Sequence, residues 1–226
     1  MPPHRRCNVG RLGAGAGVDL AVAVAVLGMV VAAAGCLPGD RPARAVLTAA
    51  APFVDEFTDA DLHDRYFVQG GSWRVVDGAL STLGDRNLPL WLDVALPRNV
   101  RVAFAVTSSS TAIDAKVELF GDGVRHQSGY VVILGGWNNT LSGIARLDEH
   151  ERSRVMNRTG HEQGRTYDLV VQRTDGATVE LFVDGAKVAS YRDPQPLSGP
   201  GHDRFAFSGW ESEVTFDHLT ITALPE

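Results

Sequence analysis

The feature that most constrains this chain is an alternation of apolar and polar residues. It restarts after a turn about a dozen times between Phe53 and the C-terminus. In 100–107, Val100, Val102, Phe104 and Val106 share one face, and Arg101, Ala103, Ala105 and Thr107 the other. The run 178–184 repeats the pattern with Val179, Leu181 and Val183. The run 129–135 (GYVVILG) is apolar on both faces, as a central strand would be. Further strands are expected at 53–57, 73–76, 79–82, 90–94, 115–120, 142–147, 167–174, 187–193 and 204–209. Four Asp-Gly pairs, at 77–78, 122–123, 175–176 and 184–185, punctuate them. Asp-Gly readily takes the positive φ angles of a two-residue hairpin turn. In the last strand, Val214 and Phe216 share one phase and Leu219 and Ile221 the other, so a β-bulge is expected at Asp217-His218. Only 58–66 (TDADLHDRY) has helical character, enough for one or two turns. About a dozen short strands in roughly 170 residues, with no long helix, predict an all-β, two-sheet sandwich.

The first 35 residues read differently. Arg5, Arg6 and Arg11 precede an apolar run from Leu20 to Ala34. That run is shorter than the ~20 residues that span a bilayer and reads as a secretory signal. It ends Ala33-Ala34-Gly35-Cys36, which resembles the lipobox of bacterial lipoproteins, with Ala33 where leucine is usual. The resemblance implies a diacylglyceryl group on the Cys36 thiol, cleavage before it and acylation of the new amino terminus. An uncleaved anchor, or a plain signal peptide cut near Ala34, is the alternative. The expected organisation is a signal peptide at 1–35, a lipidated Cys36 with a Pro- and Ala-rich tether at 36–52, and a β-sandwich domain at 53–226. The protein is expected outside the cytoplasm, lipid-anchored to a bacterial cell membrane.

Charge narrows the function classes. The formal net charge is -6, and no basic run or basic-aromatic stripe is present, so a nucleic-acid partner has no electrostatic footprint. Cleavage ahead of Cys36 leaves 18 basic against 26 acidic residues, so anchoring to anionic lipid through charge is disfavoured. The two cysteines, Cys7 and Cys36, both precede the domain, whose stability must come from core burial.

The runs W-R-V-V-D-G-A-L, G-Y-V-V-I-L-G-G, V-E-L-F-V-D-G-A-K-V and F-A-F-S-G-W with V-T-F-D-H-L-T-I, spread over residues 53 to 223, resemble the concanavalin A-like jelly rolls of the laminin-G-like and glucanase-like superfamily. That fold hosts lectins, hydrolases, lyases and adhesion modules, so the resemblance implies architecture more than activity. Glucanases of this fold resemble one another in a Glu-x-Asp-x-Glu or Glu-x-Asp-x-x-Glu strand, and none occurs here. Glu118 stands alone on its strand, and Glu211 and Glu213 fall in an apparent loop. Asp148, Glu149 and Glu151, beside His150, read as a solvated loop. Hydrolysis by a carboxylate pair is therefore disfavoured. His150-Glu151 and His161-Glu162 lack the second histidine of a zinc-protease helix. Jelly rolls of this superfamily often bind calcium near the first and last strands, which makes Asp55, Glu56 and Asp217 candidate oxygen ligands.

The sharper candidate is a sugar site. A pyranose has an apolar face and a ring of hydroxyls, so its site needs an aromatic platform and planar polar groups. Trp137, Asn138 and Asn139 follow a central strand and supply both, while Trp210, Arg146 and His126 are expected on the same surface. Trp73 and Trp91 are expected in the core. The reading from sequence is a membrane-anchored jelly roll that binds carbohydrate or cell-envelope glycan without catalysis. The alternatives are a glycan hydrolase or lyase with an atypical site, and a structural or protein-binding envelope module.

Overall fold

The computed structural model describes residues 45–47 and 51–226; the expected signal segment, Cys36 and most of the tether lie outside them. The strands are β1 (Ala45–Val46), β2 (Phe53–Asp55), β3 (Tyr66–Val68), β4 (Arg74–Val76), β5 (Ala79–Leu83) and β6 (Leu90–Leu92). They continue with β7 (Val94–Ala95), β8 (Val100–Ser108), β9 (Ala115–Gly121), β10 (Tyr130–Gly135), β11 (Leu141–Arg146) and β12 (Val155–Arg158). The last five are β13 (Thr166–Arg173), β14 (Thr178–Val183), β15 (Ala186–Arg192), β16 (Arg204–Gly209) and β17 (Glu213–Ala223). The expected all-β sandwich is what forms. One sheet has the order β12-β11-β10-β9-β16-β6-β3, and the other β15-β14-β13-β8-β17-β5-β4, with β2 also paired to β17. Every pairing within these sheets is antiparallel. Ala45 and Val46, expected in the tether, pair in parallel with Val94 and Ala95.

Local chemistry accounts for the turns. Asp77 (φ 52°) and Gly78 (φ 80°) join β4 to β5, and Asp184 (φ 49°) and Gly185 (φ 78°) join β14 to β15. Two successive positive φ angles make the turn whose twist matches antiparallel strands. The register of β17 against β8 slips between Asp217 and Thr220, and His218 sits at φ 52°, as the change of phase predicts. Of the one or two helical turns expected at 58–66, one forms, closed by the N–H of Tyr66 donating to the carbonyl of Leu62 at 2.8 Å. The carboxylates of Asp59 and Asp61 accept the backbone N–H groups of Asp61 (3.0 Å) and His63 (2.9 Å), which caps that turn and competes with a longer helix.

The core lies between the sheets. Phe207 on β16 is its centre, with ring centroids 4.6 Å from Phe216, 5.0 Å from Phe205, 5.9 Å from Phe104 and 6.1 Å from Phe57. On β9, Val117 and Leu119 point into this core, and on β10, Tyr130, Val132 and Leu134 do so. The residues between them are also buried but face the other way. The registers set them in two rows across the outer face of the seven-stranded sheet. One row runs Trp91, Ala206, Glu118, Val131, Ala145; the other runs Ser208, Lys116, Ile133, Gly143, Met156. The loops above that face bury these rows, and among them a site is built.

Candidate functional site

Lys116 and Glu118 alternate on β9, so both project from the outer face in the middle of the sheet. Their strand neighbours on that face are Ala206, Ser208, Val131 and Ile133, which leave the two long side chains room to stand. Neither charge is left bare. Glu118, fully buried, accepts the backbone N–H of Gln127 at 2.9 Å and lies 2.5 Å from Nδ1 of His126. It thereby clamps the 122–128 loop over the sheet. Nε2 of His126 is buried without a hydrogen-bond partner. The Lys116 ammonium donates to Oδ1 of Asn87 at 3.1 Å and lies 2.8 Å from Oε2 of Glu149 and 3.5 Å from Oδ1 of Asp114. Burial pushes the Asp114 carboxyl up to about 6; Lys116 opposes the rise and Glu149 adds to it. A buried acid resists ionising because the charged form loses its hydration.

Above these charges lies a cavity of about 580 Å³. Its walls include Trp137, Asn138, His126 and Trp210 from the set expected in the sequence, together with Asn87, Asp114, Lys116 and Glu149. Trp137 reaches it from a strained turn: Trp137 (φ 50°), Asn138 (φ 57°) and Asn139 (φ 60°) are three consecutive left-handed residues. Such a conformation costs a non-glycine residue about 1–3 kcal/mol and persists only where the surroundings impose it. Here the side chain of Asn139 imposes it, donating to the carbonyl of His161 (2.7 Å) and accepting its N–H (3.0 Å). The Trp137 ring is braced by the Arg154 guanidinium 4.9 Å from its centroid and by the edge of His150 at 5.9 Å. Trp210, 39% exposed, meets Arg86 and Lys116, each 5.8 Å from its ring.

Two of the expected ligand-binding residues are placed elsewhere. Arg146 donates to Asp193 at 2.7 Å and to the carbonyl of Gln195 at 3.2 Å, tying β11 to the loop after β15. Asn139 serves the turn rather than the cavity wall. Trp73 is in the core as expected, its indole donating to the carbonyl of Leu88 at 2.8 Å, whereas Trp91 is buried on the outer face of its sheet with Nε1 lacking a hydrogen-bond partner. The stretch 148–151 is not uniformly solvated: Glu149 is 6% exposed because Lys116 draws it in. Nor is Glu118 isolated in space, since His126 closes on it.

The three candidate calcium ligands divide. Asp55 is buried and holds the N–H of Phe57 (3.0 Å), the hydroxyl of Tyr66 (3.0 Å) and the guanidinium of Arg65 (3.1 Å). Glu56 and Asp217 come together instead with His218, their ligand atoms within 4.8 Å of one another. Calcium takes 6–8 oxygens. Two carboxylates and an imidazole fit it poorly.

No protein-family model matches the chain. A stretch of 136 residues is 29% identical to an extracellular exo-α-L-arabinofuranosidase of Streptomyces chartreusis, covering 56% of this chain and 15% of that enzyme. This chain therefore corresponds to a small part of that relative. Among solved structures, a carbohydrate-binding module from Bacillus subtilis matches with a TM-score of 0.60 and 13% identity, over 70% of this chain and 95% of the module. The fold is a jelly-roll sandwich. A sialidase (TM-score 0.60, 10% identity, 77% of this chain and 19% of that chain) shares it. So does an alginate lyase (TM-score 0.52, 12% identity, 80% of this chain and all of that chain).

Proposed function

We propose that this protein is a glycan-binding module whose ligand enters the cavity between Trp137 and Trp210, and that it is exported and held to a bacterial membrane by a lipid on Cys36. The observation that carries the binding reading is that two tryptophans from separate loops line one cavity with Asn138, His126, Asn87 and Lys116. Aromatic faces suit the apolar side of a sugar ring, and convergent polar groups suit its hydroxyls. The likeness to a carbohydrate-binding module, and to part of an arabinofuranosidase, supports the same reading. The anchor rests on the basic flank, the short apolar run and the Ala34-Gly35-Cys36 motif.

Affinity electrophoresis against a polysaccharide panel tests binding. A polysaccharide should retard the native protein, and Trp137→Ala and Trp210→Ala should each relieve the retardation. Unaltered mobility of the native protein in every gel would refute the reading. Mass spectrometry of the mature N-terminus tests the anchor, which an unmodified Cys36 would remove.

One observation favours a second reading, hydrolysis: the carboxyls of Asp114 and Glu149 flank Lys116 beside the cavity, and burial raises that of Asp114 to about 6, toward the range of a general acid. Sugar release from a retained polysaccharide, lost in Asp114→Asn, is its test.

A further inference from the structure

The charges around the cavity specify what kind of sugar it admits, if the glycan-binding reading holds. Three carboxylates, Asp114, Glu118 and Glu149, stand on or beside the floor. Against them is one ammonium, Lys116, 4% exposed, which donates to Asn87 and lies within ion-pair distance of Asp114 (3.5 Å) and Glu149 (2.8 Å). At the rim, Arg86 is paired with Glu211. The guanidinium of Arg154 lies over Trp137 and donates to the carbonyl of Glu149 at 2.6 Å. Among the described residues, the lysine and arginines named here are thus engaged, and His126 is turned through Nδ1 to Glu118; with the histidines neutral, three carboxylates against one ammonium leave the buried charge negative in sum.

We propose that the cavity takes an uncharged sugar residue through its hydroxyl groups and refuses uronates and sulfated sugars. An acidic ligand would bring a further negative charge against the buried carboxylates, where neither Lys116 nor the two arginines are left unpaired to meet it, and like charges repel. Hydroxyl groups, by contrast, donate to carboxylates without altering the charge balance.

Isothermal titration of the intact domain with neutral arabino- and xylo-oligosaccharides, and with oligogalacturonate and oligoalginate, decides the matter. A neutral probe should bind at least about tenfold more tightly than either acidic one. In the double variant Asp114→Asn, Glu149→Gln, which frees the Lys116 ammonium, acidic oligosaccharides should gain about tenfold in affinity. A gain of binding cannot be mimicked by a protein that fails to fold. Acidic probes that bind the native protein as tightly as neutral ones would overturn the charge selectivity while leaving glycan binding intact. Heats absent for all four probes, with no retardation by any polysaccharide, would remove the glycan-binding reading and this inference with it.

Discussion

Oε2 of Glu149 lies 2.8 Å from the ammonium of Lys116, fastening the loop after β11 to the middle strand of the sheet beneath it. Both groups are almost wholly buried, and the same ammonium faces Asp114. Removing one partner of a buried ion pair strands the other's charge. Lys116→Met should therefore destabilise the domain by about 3–5 kcal/mol, read as a lower urea midpoint with an unchanged slope.

Asp114 gives the domain a pH dependence of known sign. Its carboxyl is raised to about 6 from an ordinary value near 3.8, so the native state holds this proton more tightly than the unfolded chain. The resulting stabilisation is complete below about pH 4 and is lost as pH rises through about 6. Unfolding free energies measured from pH 4 to pH 7 should show native protein and Asp114→Asn diverging across that window, by on the order of 2–3 kcal/mol.

His218 acts in the same direction in a higher window. The hydrogen bond it donates to Glu56 and the charge of Asp217 raise its pKa. Its contribution is present below the ordinary histidine range and lost as pH rises through the raised value. The imidazole is exposed, so the effect is small. The melting temperature of the native protein should fall slightly more between pH 6 and pH 9 than that of His218→Gln.

Phe207 touches four other aromatic rings from both sheets. Truncation there leaves a void that rigid neighbours cannot fill. Phe207→Ala should cost about 3–5 kcal/mol, measured by chemical denaturation.

The fold was legible because its rules are local. Period-two alternation gave β8, β14 and β16 to within a residue or so, Asp-Gly gave the turns after β4 and β14, and a change of phase gave the bulge at His218. The short strands β3 and β12 carry too few residues for a period to show. The cavity was legible only in its aromatic half. Trp137 and Trp210 announce themselves, one in a Gly-Gly-Trp-Asn-Asn turn and one after a strand. The charged half depends on contacts between residues as distant as Asn87, Lys116 and Glu149, which no local pattern encodes. A weaker signal was nonetheless present. Lys116 and Glu118 occupy successive outward positions of a strand that pairs with the doubly apolar β10, a place where an uncovered sheet would carry ordinary surface residues.

The ends of the two sheets govern how such a domain behaves among its neighbours. β3 and β4 have three residues each and β12 has four. The longer β15 ends its sheet with Lys187 bound to Glu180 and Arg192 bound to Asp175, both pairs in water. A foreign strand seeking to extend either sheet finds a ladder too brief to copy or one bristling with solvated charge. The long, apolar strands that are most prone to aggregate lie inside, already paired on both sides. The chain can therefore be displayed at high density without its sheets joining edge to edge.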